Sequence, residues 1–185
     1  MALNSTELKK IVDLLQAGEI IACPAEGVFG LTCDPRNEQA VHKLLTLKKR
    51  SIEKGLILIT DNWDTVRPWI ENLDEVIWKQ LNNERERPTT WVLPASEGVP
   101  AWIRGNYNTI AVRLIQHPIA KSICTAFENP LVSTSANLTG EKPCLSYQEV
   151  EDQFGKQLAY IVHGATLGLK QASQIVDART GRVLR

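Results

Sequence analysis

Methionine occurs once and histidine three times in 185 residues, and neither sign of charge is in excess, with 21 Lys plus Arg against 21 Asp plus Glu. That balance removes any global attraction to nucleic acid or to an anionic membrane; such binding would need a local patch. His42, His117 and His163 stand at no metal-ligand spacing and are read as surface or satisfied residues, so no metal site built by the protein is expected. None of the four cysteines, Cys23, Cys33, Cys124 and Cys144, forms a Cys-x-x-Cys pair, which excludes a zinc ribbon and a dithiol redox motif. They are expected to be free thiols, packed as small apolar groups in a reduced, cytoplasmic setting. No apolar run approaches the ~20 residues of a membrane span. The first six residues lack the basic-then-apolar pattern of a signal peptide.

Familiar phosphate and nucleophile motifs are missing too. Gly27-Val-Phe-Gly30 lacks the Gly-x-Gly pair of a dinucleotide fingerprint, and the stretch from Gly164 to Lys170 fails the P-loop spacing. There is no Gly-x-Ser-x-Gly elbow, so a hydrolase triad loses its strongest sign.

What is present reads as an ordinary globular chain, 43% hydrophobic and 23% charged, expected to form one domain over residues 1–185. Asn4 with Glu7 resembles a capping box, ahead of Leu8, Ile11, Val12 and Leu15 at helical spacing, with Gly18 as the stop. Asn37 is placed to cap a second helix burying Ala40, Val41, Leu44 and Leu45. Strands are expected at 19–23, 55–60, 89–93, 109–114, 131–133, 158–162, 174–177 and 182–184. Residues 61–83 read as helical with a break near Pro68, 117–127 as a helix with Pro118 in its first turn, and Ser146 with Glu149 as a capping box opening a helix to Phe154. Strands and helices alternate early and strands crowd later, which predicts an α/β fold with a mixed sheet.

Four segments carry candidate chemistry. In Pro130-Leu-Val-Ser-Thr-Ser-Ala-Asn137 an apolar strand stops and small polar side chains follow. Hydroxyls and free N–H groups at a strand end can grip phosphate or carboxylate oxygens, or they can cap the next element. Lys48, Lys49, Arg50 and Lys54 cluster after the second helix, where cations suit the helix dipole as well as an anionic ligand. Arg113 ends the apolar run Ile110-Ala-Val112, so it needs either an acidic partner or a substrate carboxylate or phosphate. Glu26, between a strand end and Gly27, could pair with a base, bind a ligand amine, or cap Thr32 and its neighbours.

Taken in order, these segments resemble the YrdC family of threonylcarbamoyl-AMP synthases. Cys23-Pro-Ala-Glu-Gly-Val-Phe-Gly-Leu-Thr-Cys-Asp34 is similar to its Tyr-Pro-Thr-Glu segment, and Leu47-Lys-Lys-Arg-Ser51 to its Lys-x-Arg-Pro motif. Pro88-Thr-Thr90 is similar to the end of Pro-Gly-Pro-x-Thr. Ala111-Val-Arg113 with His117-Pro118, Ser133-Thr-Ser-Ala-Asn137 with Gly140, Ser173 with Ile175-Val-Asp177, and Arg185 complete the set. The resemblance implies a twisted mixed sheet flanked by helices, with a large concave basic cavity and no second domain in this chain. It implies a nucleotidyltransferase that joins L-threonine, bicarbonate and ATP into threonylcarbamoyl-AMP, releasing pyrophosphate. Partner proteins then use the product to modify the tRNA adenosine beside the anticodon. The roles it implies are Lys48, Arg50 and Arg185 on the triphosphate, with the first two catalytic. Thr90, Ser133, Ser135 and Asn137 would bind ATP, Arg113, Ser173 and Ala25 would border threonine, and Mg²⁺ would travel with ATP. The chain departs from the pattern at Cys23, Ala25, Gly27, Ser51 and Glu86-Arg87. A hydroxyl lost at Ala25 is worth about 0.5–1.5 kcal/mol of threonine binding. The alternatives implied are a diverged paralogue with reduced activity, or a module that binds double-stranded RNA or tRNA, with an affinity falling steeply with salt.

Overall fold

The computed structural model describes residues 2–83, 85–170 and 172–185. Helix α1 (Ser5–Gln16) opens on the expected capping box: Glu7 N–H donates to the Asn4 side chain at 2.9 Å and Asn4 N–H to the Glu7 carboxylate at 3.3 Å. Gly18, at φ 81°, follows its end. After β1 (Ile21–Pro24) and β2 (Phe29–Cys33), Asn37 caps α2 (Glu38–Leu47), which buries the four apolar residues its spacing picks out. The chain continues through β3 (Ile57–Thr60), α3 (Glu75–Asn82), β4 (Thr89–Pro94), the single turn α4 (Ala101–Arg104), β5 (Thr109–Leu114), α5 (Pro118–Phe127), β6 (Leu131–Ser135), α6 (Tyr147–Phe154), β7 (Tyr160–Ile161) and β8 (Gln174–Asp177).

The strands form one eight-stranded mixed sheet in the order β7-β1-β2-β6-β3-β5-β4-β8. β1 with β7, β3 with β5 and β4 with β8 are parallel pairs; the other neighbours run antiparallel. Side-chain alternation splits the core into two layers. Ile21, Cys23, Ile59 and Leu131 pack with Ile11 and Leu15 of α1 and with Ile119 and Ile123 of α5. Ala22, Leu58 and Val132 face the opposite side, where Leu44 of α2 and Val150 and Phe154 of α6 cover them. Pairing register puts Ile57, Ala111, Ser133 and Val92 in one row across β6, β3, β5 and β4. Ile57 and Ser133 share parity with Ile59 and Leu131, so this row lies on the α1/α5 face, beyond the end of the strands that those helices cover.

Several local expectations are corrected. Within 61–83 only Glu75–Asn82 is α-helical; Asp64–Trp69 is a 3₁₀ helix that accommodates Pro68, held at its start by the Asn62 side chain on Asp64 and Thr65 N–H. β6 does not stop at Ser133, because Ser135 pairs with Gly30 of β2. Residues 158–162 contribute only a two-residue strand, and 182–184 only a bridge from Val183 to Val176. The second capping box is half formed: Ser146 accepts from Glu149 N–H, but the Glu149 carboxylate reaches Leu145 N–H instead of Ser146. The four cysteines are free and buried, and burial pushes the Cys23 thiol up to about 11.

Candidate active site

The uncovered part of the α1/α5 face is a cavity of ≈ 860 Å³, within the range of small-molecule sites. Among the described residues six cations line it, Arg50, Lys54, Arg104, Arg113, Lys170 and Arg185, against two carboxylates, Glu26 and Asp177.

Arg50 reaches the cavity through the way α2 ends. Lys49 takes a left-handed conformation at φ 50°. Lys49 N–H then bonds Thr46 O at 3.0 Å, and Arg50 N–H bonds Leu45 O at 2.9 Å. These are the two bonds of a Schellman motif, with lysine where glycine is usual. The reversal turns Arg50 inward, where its Nη2 donates to Gly55 O at 2.9 Å, Nε has no protein partner, and burial lowers its pKa. Lys48 does not line the cavity. Its buried ammonium donates to the carbonyls of Ser135 and Asn137, the second at 2.7 Å. Burial, and then Arg50 close by, lower it to about 8.

Lys48 thereby ties α2 to the turn after β6. Ser133 and Ser135 face the cavity, and Ser135 Oγ donates to Asn137 Oδ1 at 2.5 Å. Asn137 faces away, its amide donating to Leu138 O and Glu141 O. Thr139 Oγ1 donates to Lys48 O at 2.7 Å, closing the junction from the other side. Gly30 allows the approach of β2, since a Cβ there would lie 2.9 Å from Ser133 Oγ.

At the other end, Arg113 meets Glu26, with Nη2 3.5 Å from Oε2. The structure thus supplies the acidic partner that one reading of Arg113 required. Glu26 Oε1 accepts from Gln116 N–H at 2.8 Å, while Glu26 Oε2 and Arg113 Nε, both buried, form no hydrogen bond within the protein. Ala25 lies beside them and presents no hydroxyl. A strap of irregular chain, residues 163–170 and 172–173, runs along this edge. His117 Nε2 donates to Ala165 O at 2.9 Å and Leu169 N–H to Glu26 O at 3.1 Å. Gly27 lies directly under it: a Cβ there would come 2.5 Å from Leu169 O. Ser173 ends the strap in the cavity wall and hydrogen-bonds Thr90 at 3.0 Å. Thr90 itself is fully buried behind it. Arg185 lines the mouth and donates to Ser173 O at 3.3 Å.

Of the residues expected from sequence, Ala25, Arg50, Arg113, Ser133, Ser135, Ser173 and Arg185 therefore share one cavity. Lys48, Thr90 and Asn137 stand behind its wall and hold it. Lys54, one of the basic cluster, also faces it. No sequence pattern selects Arg104 or Lys170: Arg104 sits on a helix of one turn with no periodicity to reveal it, and Lys170 lies in a segment that fails the P-loop spacing. That exclusion stands, since among the described residues no helix follows the segment. Among the described residues no group of three or more His, Cys, Asp or Glu could hold a metal ion, and no helix is long and apolar enough to cross a membrane.

Residues 13–185 match the family model Sua5/YciO/YrdC, described as "Telomere recombination". A threonylcarbamoyl-AMP synthase of Vibrio campbellii is 45% identical over 179 residues, 96% of this chain and 97% of that protein. One from Photorhabdus laumondii is 43% identical over 189 residues, 98% and 96% of the two chains. The crystal structure of P. abyssi Sua5 complexed with L-threonine superposes with a TM-score of 0.92 at 26% identity, over 100% of this chain and 55% of that one. This chain thus spans about half the length of Sua5. E. coli YciO shares the fold, with a TM-score of 0.81 at 21% identity. The chain belongs to the Sua5/YciO/YrdC family.

Proposed function

We propose that this protein is an enzyme that joins L-threonine, bicarbonate and ATP into threonylcarbamoyl-AMP and releases pyrophosphate. The observation that carries this is the cavity: six cations and three serines face one concave volume large enough for a nucleotide beside an amino acid. Relatives of 45% identity over nearly the whole chain bear the name of this activity, and the structural relative Sua5 has been crystallised with L-threonine. Cations gathered inside a concavity favour a small anionic substrate over an RNA-binding module, which would set them on an open face.

The carbamate oxygen of N-carboxy-threonine attacks the α-phosphorus, and the bond to the bridging oxygen breaks as pyrophosphate leaves. Such a transfer needs positioning and positive charge more than covalent help. Arg50 and Arg185 supply charge where the pyrophosphate departs, and Ser133 and Ser135 hydrogen-bond the nucleotide. Lys48 and Asn137 fix the turn that presents those serines. Arg113 takes the threonine carboxylate, with Ser173, oriented by Thr90, beside it, and Ala25 borders the same end. Mg²⁺ would ride on the phosphates and neutralise their charge, since it keeps several waters and is held by substrate phosphates rather than by an all-protein cage. The product would pass, in the cytoplasm, to partner proteins that modify tRNA.

Pyrophosphate release tests the reading. It is expected only when threonine and bicarbonate are both present, and Arg113→Ala should raise the threonine KM by roughly 10–100-fold, the worth of a lost hydrogen bond to a charged group. Release indifferent to threonine would remove the assignment.

A further inference from the structure

We propose that Glu26 receives the amino group of the amino-acid substrate and takes the proton that this group must lose before it can attack bicarbonate. The inference rests on the threonine reading above.

Glu26 is 3% exposed, yet it lines the cavity. Oε1 is anchored by Gln116 N–H at 2.8 Å, so the carboxylate has a fixed orientation. Oε2 accepts no hydrogen bond from the protein, and Arg113 Nη2 stands off at 3.5 Å, while Arg113 Nε is equally unpartnered. A pair that served structure alone would close this gap, because unsatisfied buried charge is costly. An α-amino acid carries a carboxylate and an ammonium on one carbon. Set against this pair, its carboxylate meets Arg113 and its ammonium meets Glu26 Oε2, so that one ligand satisfies both. The other titratable groups nearby are Cys23 on β1, His117 next to Gln116, and Lys170 next to Leu169. The Cys23 thiol is held protonated by burial. His117 Nε2 donates to Ala165 O and its buried Nδ1 has no partner, but His117 does not line the cavity; Lys170 lines it as a hydrogen-bond donor. Glu26 is therefore the base in this set.

Each proton is accounted for, the one taken by Glu26 returning to water before the next turnover. The ammonium gives one proton to the Glu26 carboxylate, leaving a neutral amine and a carboxylic acid. The amine nitrogen then bonds the carbon of bicarbonate, a C–O bond of bicarbonate breaks, and the nitrogen's second proton leaves with that oxygen as water. The carbamate keeps the one negative charge that bicarbonate brought.

Glu26→Gln preserves size and the acceptor for Gln116 N–H. Threonine-dependent pyrophosphate release is measured for parent and variant across a range of pH. The parent's kcat should be nearly flat near neutrality, whereas the variant's should be at least tenfold lower there and rise about tenfold per pH unit toward the pKa of the free amine. Parallel profiles for the two proteins overturn the inference. A parent that shows no threonine dependence fails the proposed function instead, a distinct outcome. If the variant does not fold, as judged by circular dichroism, the parent's affinity for threonine is compared with that for the analogue bearing hydroxyl in place of the amino group. The analogue should bind at least tenfold more weakly, and equal binding overturns the role.

Discussion

A buried ammonium that touches only carbonyls ties stability to pH, and Lys48 is that residue. Burial, and then the nearby Arg50 guanidinium, lower its pKa from 10.5 to about 8. Between those values the unfolded chain holds a proton that the folded chain has released, so this residue's contribution to stability rises with pH across that window. Lys48→Met removes the dependence. In guanidinium titrations at pH 7.5 and 9.5, the parent should gain stability relative to the variant at the higher pH; a parent-minus-variant difference that stays constant contradicts the account. The same residue shows what sequence could and could not give. Its type and its place in a basic motif pointed to phosphate, and only the tertiary junction reveals that its charge is spent on Ser135 and Asn137 carbonyls. Arg113 is the converse case. A charge closing an apolar run demanded a partner, and the demand was met by Glu26, a residue 87 positions away that no local pattern could select.

Among the elements, those with chemical punctuation were legible. Asn4, Asn37 and Pro118 mark the starts of α1, α2 and α5, and the β-branched runs mark β4, β5 and β8 almost to the residue. The strap of residues 163–170 and 172–173 was not, since it has neither periodicity nor ladder and is fixed by isolated contacts with His117, Glu26 and Thr90. The departure at Gly27 acquires a physical meaning there: the missing side chain makes room for the Leu169 carbonyl. Gly27→Ala would force that backbone aside and break the bond from Leu169 N–H to Glu26 O. Hydrogen exchange at the Leu169 amide should accelerate at least tenfold while β1 and β5 amides are unchanged. An unaltered Leu169 amide would show that the strap does not depend on the glycine.

At the scale of the molecule, the cavity exists because α1 and α5 cover only part of one sheet face and leave the row of Ile57, Ala111, Ser133 and Val92 open. That geometry follows from a strand order in which β6 inserts between β2 and β3 and β8 adds to β4. Alternating strands and helices predicted a mixed sheet, but not this order, because the pairings join segments distant in sequence. Strand order is also what gathers Arg50, Arg113 and Arg185 from three separate stretches around Ser133 and Ser135. If this assembly performs the proposed reaction, carbon from bicarbonate must end between threonine and AMP. The direct measurement is mass spectrometry of the products formed from ATP, threonine and ¹³C-bicarbonate. The account predicts an adenylate whose threonylcarbamoyl group carries one ¹³C, formed with pyrophosphate and absent when threonine is omitted. Pyrophosphate released without a labelled adenylate, or labelling indifferent to threonine, would contradict it.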